Sequence, residues 1–474
     1  MMKRIFFCGR VTFLLMIICG HASGEIRLPA IFGDNMVLQQ QTDVRLWGKA
    51  TPGKKVKVTT SWDNNGYSTV SDKNGNWKVK VSTPVAGGPY QVIFSDGKRL
   101  VLNNVLIGEV WLCSGQSNMG MSLKGGINNP VLNSNEVIAT SANESIRLYT
   151  VKRNTGFDPV DDLEGSWATC GPDRVAGFSA CAYFFAKALQ ETLKVPVGLI
   201  NSSWGGTAIE AWMGASEIKK FDFITLPDKS ETERLNEKWP KTPTILFNTM
   251  IYPLSDFVIK GVLWYQGEDN VRKPEQYERL LPGLINNWRE AWALGDFPFY
   301  FAQLTPYDYG QHVNSAFFRE VQEKVSVRLS NVGMVCLLDA GDEFNIHPAN
   351  KKVVGSRFAW LALSRTYGIK SIESSGPVLK EMVIEGRMVN LIFDHAEKGL
   401  TSFGKDLKNF EVAGRNRKFY SAKAFITRQG VTLFSEFVNE PVAVRYAFKN
   451  FVTGDLYNTA GIPASSFRTD EWDQ

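Results

Sequence analysis

Between residues 25 and 105, apolar and polar positions alternate along the chain. Lys78 and Lys80 separate Trp77, Val79 and Val81, and Val56 and Val58 repeat the pattern. A period of two is that of a half-buried strand. The clusters Asp63-Asn64-Asn65-Gly66, Asp72-Lys73-Asn74-Gly75 and Gly87-Gly88-Pro89 punctuate these runs. They read as turns, because the twelve-residue ligand pattern of a calcium loop is absent. The pattern predicts a small β-sandwich-like domain over 25–105.

From about residue 106 the period changes. Val105 to Leu112 is a mostly apolar run that ends in Cys113-Ser114-Gly115-Gln116-Ser117. Ala182, Phe185, Ala186, Leu189 and Leu193 recur at helical spacing. Val195 to Asn201, Lys260 to Tyr265, Phe299 to Leu304 and Val332 to Leu338 read as strands, and 275–292, 317–329 and 349–367 as helices. Strands alternating with helices predict an α/β unit over 106–370, a parallel sheet flanked by helices. In such sheets ligands sit beyond the carboxyl ends of the strands, where the polar clusters of this chain fall. The charged stretch 214–245 predicts a solvated helix or loop. From about 371 short apolar runs return, at Met388 to Phe393 and Val431 to Phe434, and predict a second β region to residue 474 that packs on the catalytic layer.

A chain of 474 residues with 44% hydrophobic content supports several cores, about two to four domains. Residues 1–24 stand apart. Lys3 and Arg4 precede the apolar run Val11 to Cys19, and Gly20, Ala22, Ser23 and Gly24 follow. This is the pattern of a secretory signal peptide, which predicts export to the periplasm or the cell exterior. The run is shorter than the roughly 20 residues that span a bilayer, and Ile18 before Cys19 argues against lipidation. Removal of Lys3, Arg4 and Arg10 lowers the formal charge from +5 to near +2, too little to imply nucleic acid. Of six cysteines, Cys113, Cys170, Cys181 and Cys336 lie outside the leader. Cys170 and Cys181 pair, or all four are buried thiols. No spacing suggests a metal, and no cofactor is expected. Oligomeric state is left open.

Acyl transfer needs a nucleophile, a base, a group that orients the base, and donors for an oxyanion. Outside the leader the candidate bases are His312, His347 and His395. His347, in Asp342-Glu343-Phe344-Asn345-Ile346-His347-Pro348, lies just after a predicted strand and before a helix, whereas His312 sits in a Tyr/Gly/Gln loop and His395 in the terminal β region. Ser117 follows a strand directly, but its surroundings are not the GxSxG elbow of α/β-hydrolases. On its own it is equally a turn residue.

Three blocks, Gly115-Gln116-Ser117-Asn118-Met119, Trp264-Tyr265-Gln266-Gly267-Glu268 and Ile346-His347-Pro348, together resemble the sialate O-acetylesterase branch of the SGNH (GDSL-like) hydrolases. Gly198-Leu199-Ile200-Asn201, Trp204-Gly205-Gly206-Thr207, Gly108-Glu109-Val110-Trp111, Arg445-Tyr446 and Leu456-Tyr457-Asn458 extend the resemblance over nearly all of the chain after the leader. It implies a flavodoxin-like three-layer α/β/α core and a serine esterase that takes acetyl groups from a sugar or glycan. Ser117 would be the nucleophile and His347 the base. The oxyanion would be held by backbone N–H groups of Ser117 and Gly205 or Gly206 and by the Gln266 side chain. Neither Asn345 nor Phe344 supplies the acid that many SGNH enzymes carry before the histidine. Glu268 ranks first for that role and Asp342 second; a Ser–His dyad oriented by a backbone carbonyl is the alternative. Gln116, Asn118 and Trp204 are candidates for contact with substrate, and Trp111, Trp204 and Trp264 for stacking on a sugar. The blocks describe the acyl centre rather than the sugar pocket, so acetylated xylan or another glycan is an alternative substrate. A degenerate glycan-binding protein is the alternative of another class.

Overall fold

The structure is a computed structural model that describes residues 25–63, 65–231 and 240–472. The expected leader lies outside the described residues.

The first strands are β1 (Val37–Gln39), β2 (Asp43–Lys49), β3 (Lys55–Thr60), β4 (Gly66–Val70), β5 (Asn76–Ser82), β6 (Gly87–Ser95) and β7 (Arg99–Gly115). β2 pairs antiparallel with β5, while β3 pairs with β4 and β6. The alternation seen along the chain is spent on burial: Val56, Val58 and Val81 are fully buried while Lys78 and Lys80 face solvent. Each fully buried valine of this kind contributes roughly 1.5–3 kcal/mol.

β7 carries the connection to the next layer. Its first half pairs antiparallel with β6 and its middle pairs with β1. From Glu109 to Gly115 the same strand pairs parallel with β10 (Val197–Ser203), and from Trp111 to Gly115 with β11 (Gly261–Tyr265). The expected division at 105/106 therefore falls inside one continuous strand. Asn103 and Asn104 interrupt the apolar run, and Asn104 takes a left-handed φ of 53°, but the ladder continues past them.

The remaining strands of the central sheet are β8 (Asn143–Thr150), β9 (Trp167–Cys170), β12 (Phe299–Ala302) and β13 (Val332–Val335). Their order is β13-β12-β11-β7-β10-β8-β9, parallel throughout except for the antiparallel edge strand β9. The sheet is thus mixed. Both faces are buried, which is why these strands read as continuous apolar runs rather than alternating ones. Leu112, Ile200, Val262 and Phe299 pack on one face with α3 (Pro274–Trp292) and α4 (Ser315–Arg328), numbered after the short α1 (Ser117–Gly120) and α2 (Ala180–Leu193). Trp111, Leu199, Leu263 and Tyr300 pack on the other with α2 and α5 (Lys351–Arg365). Ser179 caps α2 by accepting the Ala182 N–H, and Asn314 caps α4 by accepting that of Ala316.

The terminal β region holds two four-stranded antiparallel sheets and its own apolar cluster. Buried Arg319 of α4 ties it to the central layer, donating to Ser466 Oγ and to the Lys449 carbonyl. The cysteines settle as thiols: all four are free and buried. Cys170 Sγ lies against the Ser141 carbonyl and Cys181 Sγ against that of Asn118, so the two cysteines face separate acceptors.

Candidate active site

The register brings Gly115 of β7 beside Ser203 of β10 and Tyr265 of β11 at one end of the sheet. Gly115 has φ +130°, and a Cβ there would lie 2.1 Å from the Tyr265 carbonyl oxygen. Only glycine fits both demands. The next N–H, of Gln116, donates to that carbonyl at 3.0 Å, and the Trp204 N–H donates to the Gly115 carbonyl at 3.0 Å. Backbone alone therefore laces the strand ends together. The chain then turns into α1, which Ser117 opens with its side chain partly exposed. A Cβ on Gly205 would stand 3.0 Å from the Ser117 Cβ, so the backbone at Gly205 lies directly against the serine. N–H groups in the first turn of a helix have no partner within it and are available to an anion.

Asn118 is fully buried behind the serine and joins three loops. Its Nδ2 donates to Glu268 Oε1 and, at 3.0 Å, to the Ile346 carbonyl. Its Oδ1 accepts from the buried Lys351 ammonium. The carboxamide dipole is thus oriented by charge, oxygen toward the cation and nitrogen toward the anion. Burial pushes the Glu268 carboxyl up and the Lys351 ammonium down, each opposed by the charge of the other. Ser117 and His347 are the chain neighbours of Asn118 and Ile346. The one hydrogen bond between those two residues brings both candidates to the same strand end.

His347 is partly exposed, and its Nδ1 lies 3.1 Å from Asn129 Oδ1. Asn129 Nδ2 donates to the Ile127 carbonyl at 2.8 Å, which leaves the amide oxygen facing the imidazole. An amide oxygen only accepts, so Nδ1 carries the proton and Nε2 keeps its lone pair. Burial, and then the Lys351 charge, hold the imidazole pKa below its ordinary 6.5. A neutral imidazole with a fixed tautomer is a base ready to take a proton at neutral pH.

Gln266 lies inside a different network. Its Nε2 donates to the Thr207 carbonyl at 3.1 Å and to Asn270 Oδ1 at 2.8 Å, while Oε1 receives the Tyr277 hydroxyl at 3.0 Å. Among the described residues no group of His, Cys, Asp and Glu is arranged to hold a metal.

A partly exposed serine hydroxyl at a helix start, a poised imidazole and close backbone N–H groups are the parts of an acyl-transfer centre. The family model for carbohydrate esterases described as sialic acid-specific acetylesterases matches residues 107–363, more than half of the chain. The chain belongs to this family. It is 29% identical to the sialate O-acetylesterase of Mus musculus over 510 residues, covering 93% of this chain and 92% of that protein. With the Homo sapiens sialate O-acetylesterase the identity is 28%, over 89% of this chain and 87% of the relative. The crystal structure of a carbohydrate acetylesterase from Xanthomonas citri superposes with a TM-score of 0.86 at 33% identity, covering 94% of this chain and all of that one. This protein is a carbohydrate esterase.

Several residues of this esterase sit elsewhere than its sequence suggests. Glu268 bonds to Asn118, and the imidazole it was expected to orient faces Asn129 instead. Asp342 is exposed and accepts the N–H groups of Phe344 and Asn345, closing its own turn. Both hydrogens of the Gln266 amide are spent inward, so its expected service to an oxyanion is not available in this arrangement. Gln116 and Asn118, the expected substrate contacts, are both buried, Gln116 receiving the Gly267 N–H at 3.3 Å. Trp111 and Trp264 are fully buried in the two cores, which removes them as stacking platforms. Trp204 is partly exposed beside the serine. His312 and His395 lie in exposed turns with positive φ. Asn129 and Lys351 were missed. Lys351 carried a faint signal, four residues past His347 at a helix start. Asn129, in an ordinary Asn-Asn-Pro loop, carried none.

Proposed function

We propose that this esterase removes O-acetyl groups from sialic acids by a Ser117–His347 acyl-enzyme mechanism on an SGNH-type, flavodoxin-like three-layer core. The observation that carries the reading is the Asn118 bond to the Ile346 carbonyl, joined to the bond in which Asn129 Oδ1 accepts from His347 Nδ1 and so keeps the ring proton there. His347 Nε2 takes the Ser117 hydroxyl proton as Oγ attacks the acetyl carbonyl. The tetrahedral oxyanion lies toward the backbone N–H groups of Ser117 and of Gly205 or Gly206. The imidazolium then protonates the departing sugar oxygen, leaving acetyl on Ser117 and a free sugar hydroxyl. Water, deprotonated by the same nitrogen, attacks the acetyl-enzyme and releases acetate. Each oxyanion donor lowers the barrier by about 3–4 kcal/mol. Glu268 acts at one remove, through Asn118, and Asn129 orients the base. No metal or organic cofactor enters these steps. Export rests on the composition of residues 1–24; among the described residues no helix is long and apolar enough to cross a membrane.

Acetate release from O-acetylated sialic acid and from acetylated xylan, by wild type and Ser117→Ala, tests the reading. Wild-type release from the sialate, with a loss of at least about 10³-fold in Ser117→Ala, is expected. Release from xylan alone moves the substrate to another glycan. Sugar binding without turnover by wild type replaces the enzyme by a binding protein.

A further inference from the structure

Arg153 stands at the mouth of the site without an anionic partner. It follows β8 in a stretch held on both sides: the Val151 N–H donates to the Asn201 carbonyl at 2.9 Å, and Thr249 Oγ1 donates to the Asn154 carbonyl at 2.7 Å. The guanidinium carbon lies 5.6 Å from the centre of the Trp204 ring, and Nε donates to the Ser203 carbonyl at 3.4 Å. One terminal nitrogen comes within 3.9 Å of where a Cβ on Gly120 would stand, at the far end of the single turn that Ser117 opens.

Its neighbours and counterparts are matched differently. Lys152 pairs with Glu164, Arg357 with Asp339, Arg445 with Asp470 and Arg468 with Glu320. Among the described residues the two terminal nitrogens of Arg153 meet no protein acceptor and no carboxylate. The planar guanidinium fork is shaped for two parallel hydrogen bonds to a carboxylate. The guanidinium sits over the Trp204 ring, and Arg153 stays exposed.

We infer that Arg153, seated on Trp204, is the specificity residue that binds the carboxylate of an acidic acetylated sugar. The inference rests on the sialate reading above and adds to it the reason for choosing an anionic sugar over a neutral one. A xylan acetate has no carboxylate to offer this group.

The test compares O-acetylated sialic acid with its primary amide, which keeps the acetyl ester and loses the charge, in wild type, Arg153→Gln and Arg153→Lys. The readout is the ratio of kcat/KM for acid over amide within each preparation, which does not depend on how much of a variant folds. Wild type should prefer the acid by about 10–100-fold, the value of a charge-assisted hydrogen-bonded contact. The ratio should fall to near one in Arg153→Gln, stay intermediate in Arg153→Lys, and shrink in wild type as salt rises. A wild-type ratio near one, or an undiminished ratio in Arg153→Gln, overturns the assignment while sialate turnover leaves the parent reading intact. A wild type that cleaves an aryl acetate but neither sialate form overturns the parent reading, and the assignment with it.

Discussion

The serine side of the site is made of backbone, whereas the histidine side is made of side chains drawn from distant loops. Gly115, Gln116 and Trp204 fix the chain at Ser117 by carbonyl and N–H contacts between adjacent strand ends, and the Gly205 backbone lies against the serine Cβ. His347 is held by Asn129, and its loop by Asn118 through the Ile346 carbonyl. Backbone bonds between paired strands leave little freedom of position, and they place the nucleophile. Side-chain partners also set charge and tautomer, and they tune the base. Asn118 belongs to both sides, and its own partners are a buried cation and a buried anion.

The largest effect on this comparison should come from Asn118→Leu. It strands Lys351 and Glu268 without their common bridge, and stability should drop by about 3–5 kcal/mol. Denaturant midpoints measure this, and Asn118→Leu with Lys351→Met and Glu268→Gln together should recover much of the loss. Full stability in the single variant would mean that the three groups are not coupled. Gly205→Ala comes next. The added methyl presses on the serine Cβ, and a shift of about 1 Å costs on the order of 10²-fold in kcat. Thermal melting should barely change, which separates misplacement of Ser117 from unfolding.

On the histidine side the effects are smaller. Asn129→Ala removes one neutral hydrogen bond and should lower kcat/KM about tenfold. Asn129→Asp sets an anion beside the imidazole, so the acid limb of the pH profile should move to higher pH. An unmoved limb in Asn129→Asp would show that another group governs it. The smallest effect concerns the wild-type limb itself. Because the folded pKa of His347 lies below 6.5, the acid limb of kcat/KM should also lie below 6.5. The linkage has the same sign: below 6.5 the unfolded chain takes up the proton first. The contribution of His347 to stability is therefore whole above 6.5 and is lost as pH falls toward the folded pKa. Lys351→Met should raise the limb slightly by removing the second cause of the depression.

Legibility followed the range of the interactions. The helix expected over 275–292 is α3 at Pro274–Trp292, and that expected over 349–367 is α5 at Lys351–Arg365. The strands expected at 260–265 and 299–304 are β11 and β12. Each depends on apolar spacing within one segment. The division expected at 105/106 lies inside β7: two asparagines look like a break, while the ladder that carries β7 past them is made with other strands. The assignment of an acid to His347 failed for a related reason. Carboxylates near the histidine in sequence attract attention, but Glu268 is drawn to Asn118 and Lys351 and Asp342 to its own turn. The partner that meets the imidazole lies 218 positions away in a loop with no pattern.

What the sequence by itself determined was the strand ends: apolar runs stopping near Gly115, Asn201 and Tyr265, and the serine and glycines that follow them. Those depend on local periodicity and on the one residue type that tolerates a left-handed turn against a neighbouring carbonyl. Only the tertiary structure decided which side chains meet there, turning Gln266 inward to Asn270 and Thr207, giving His347 to Asn129, and leaving Arg153 open on Trp204. Hydrogen-bond partners and the charge states that depend on them arise from burial and from contacts between remote loops, and neither has a period that a chain can display.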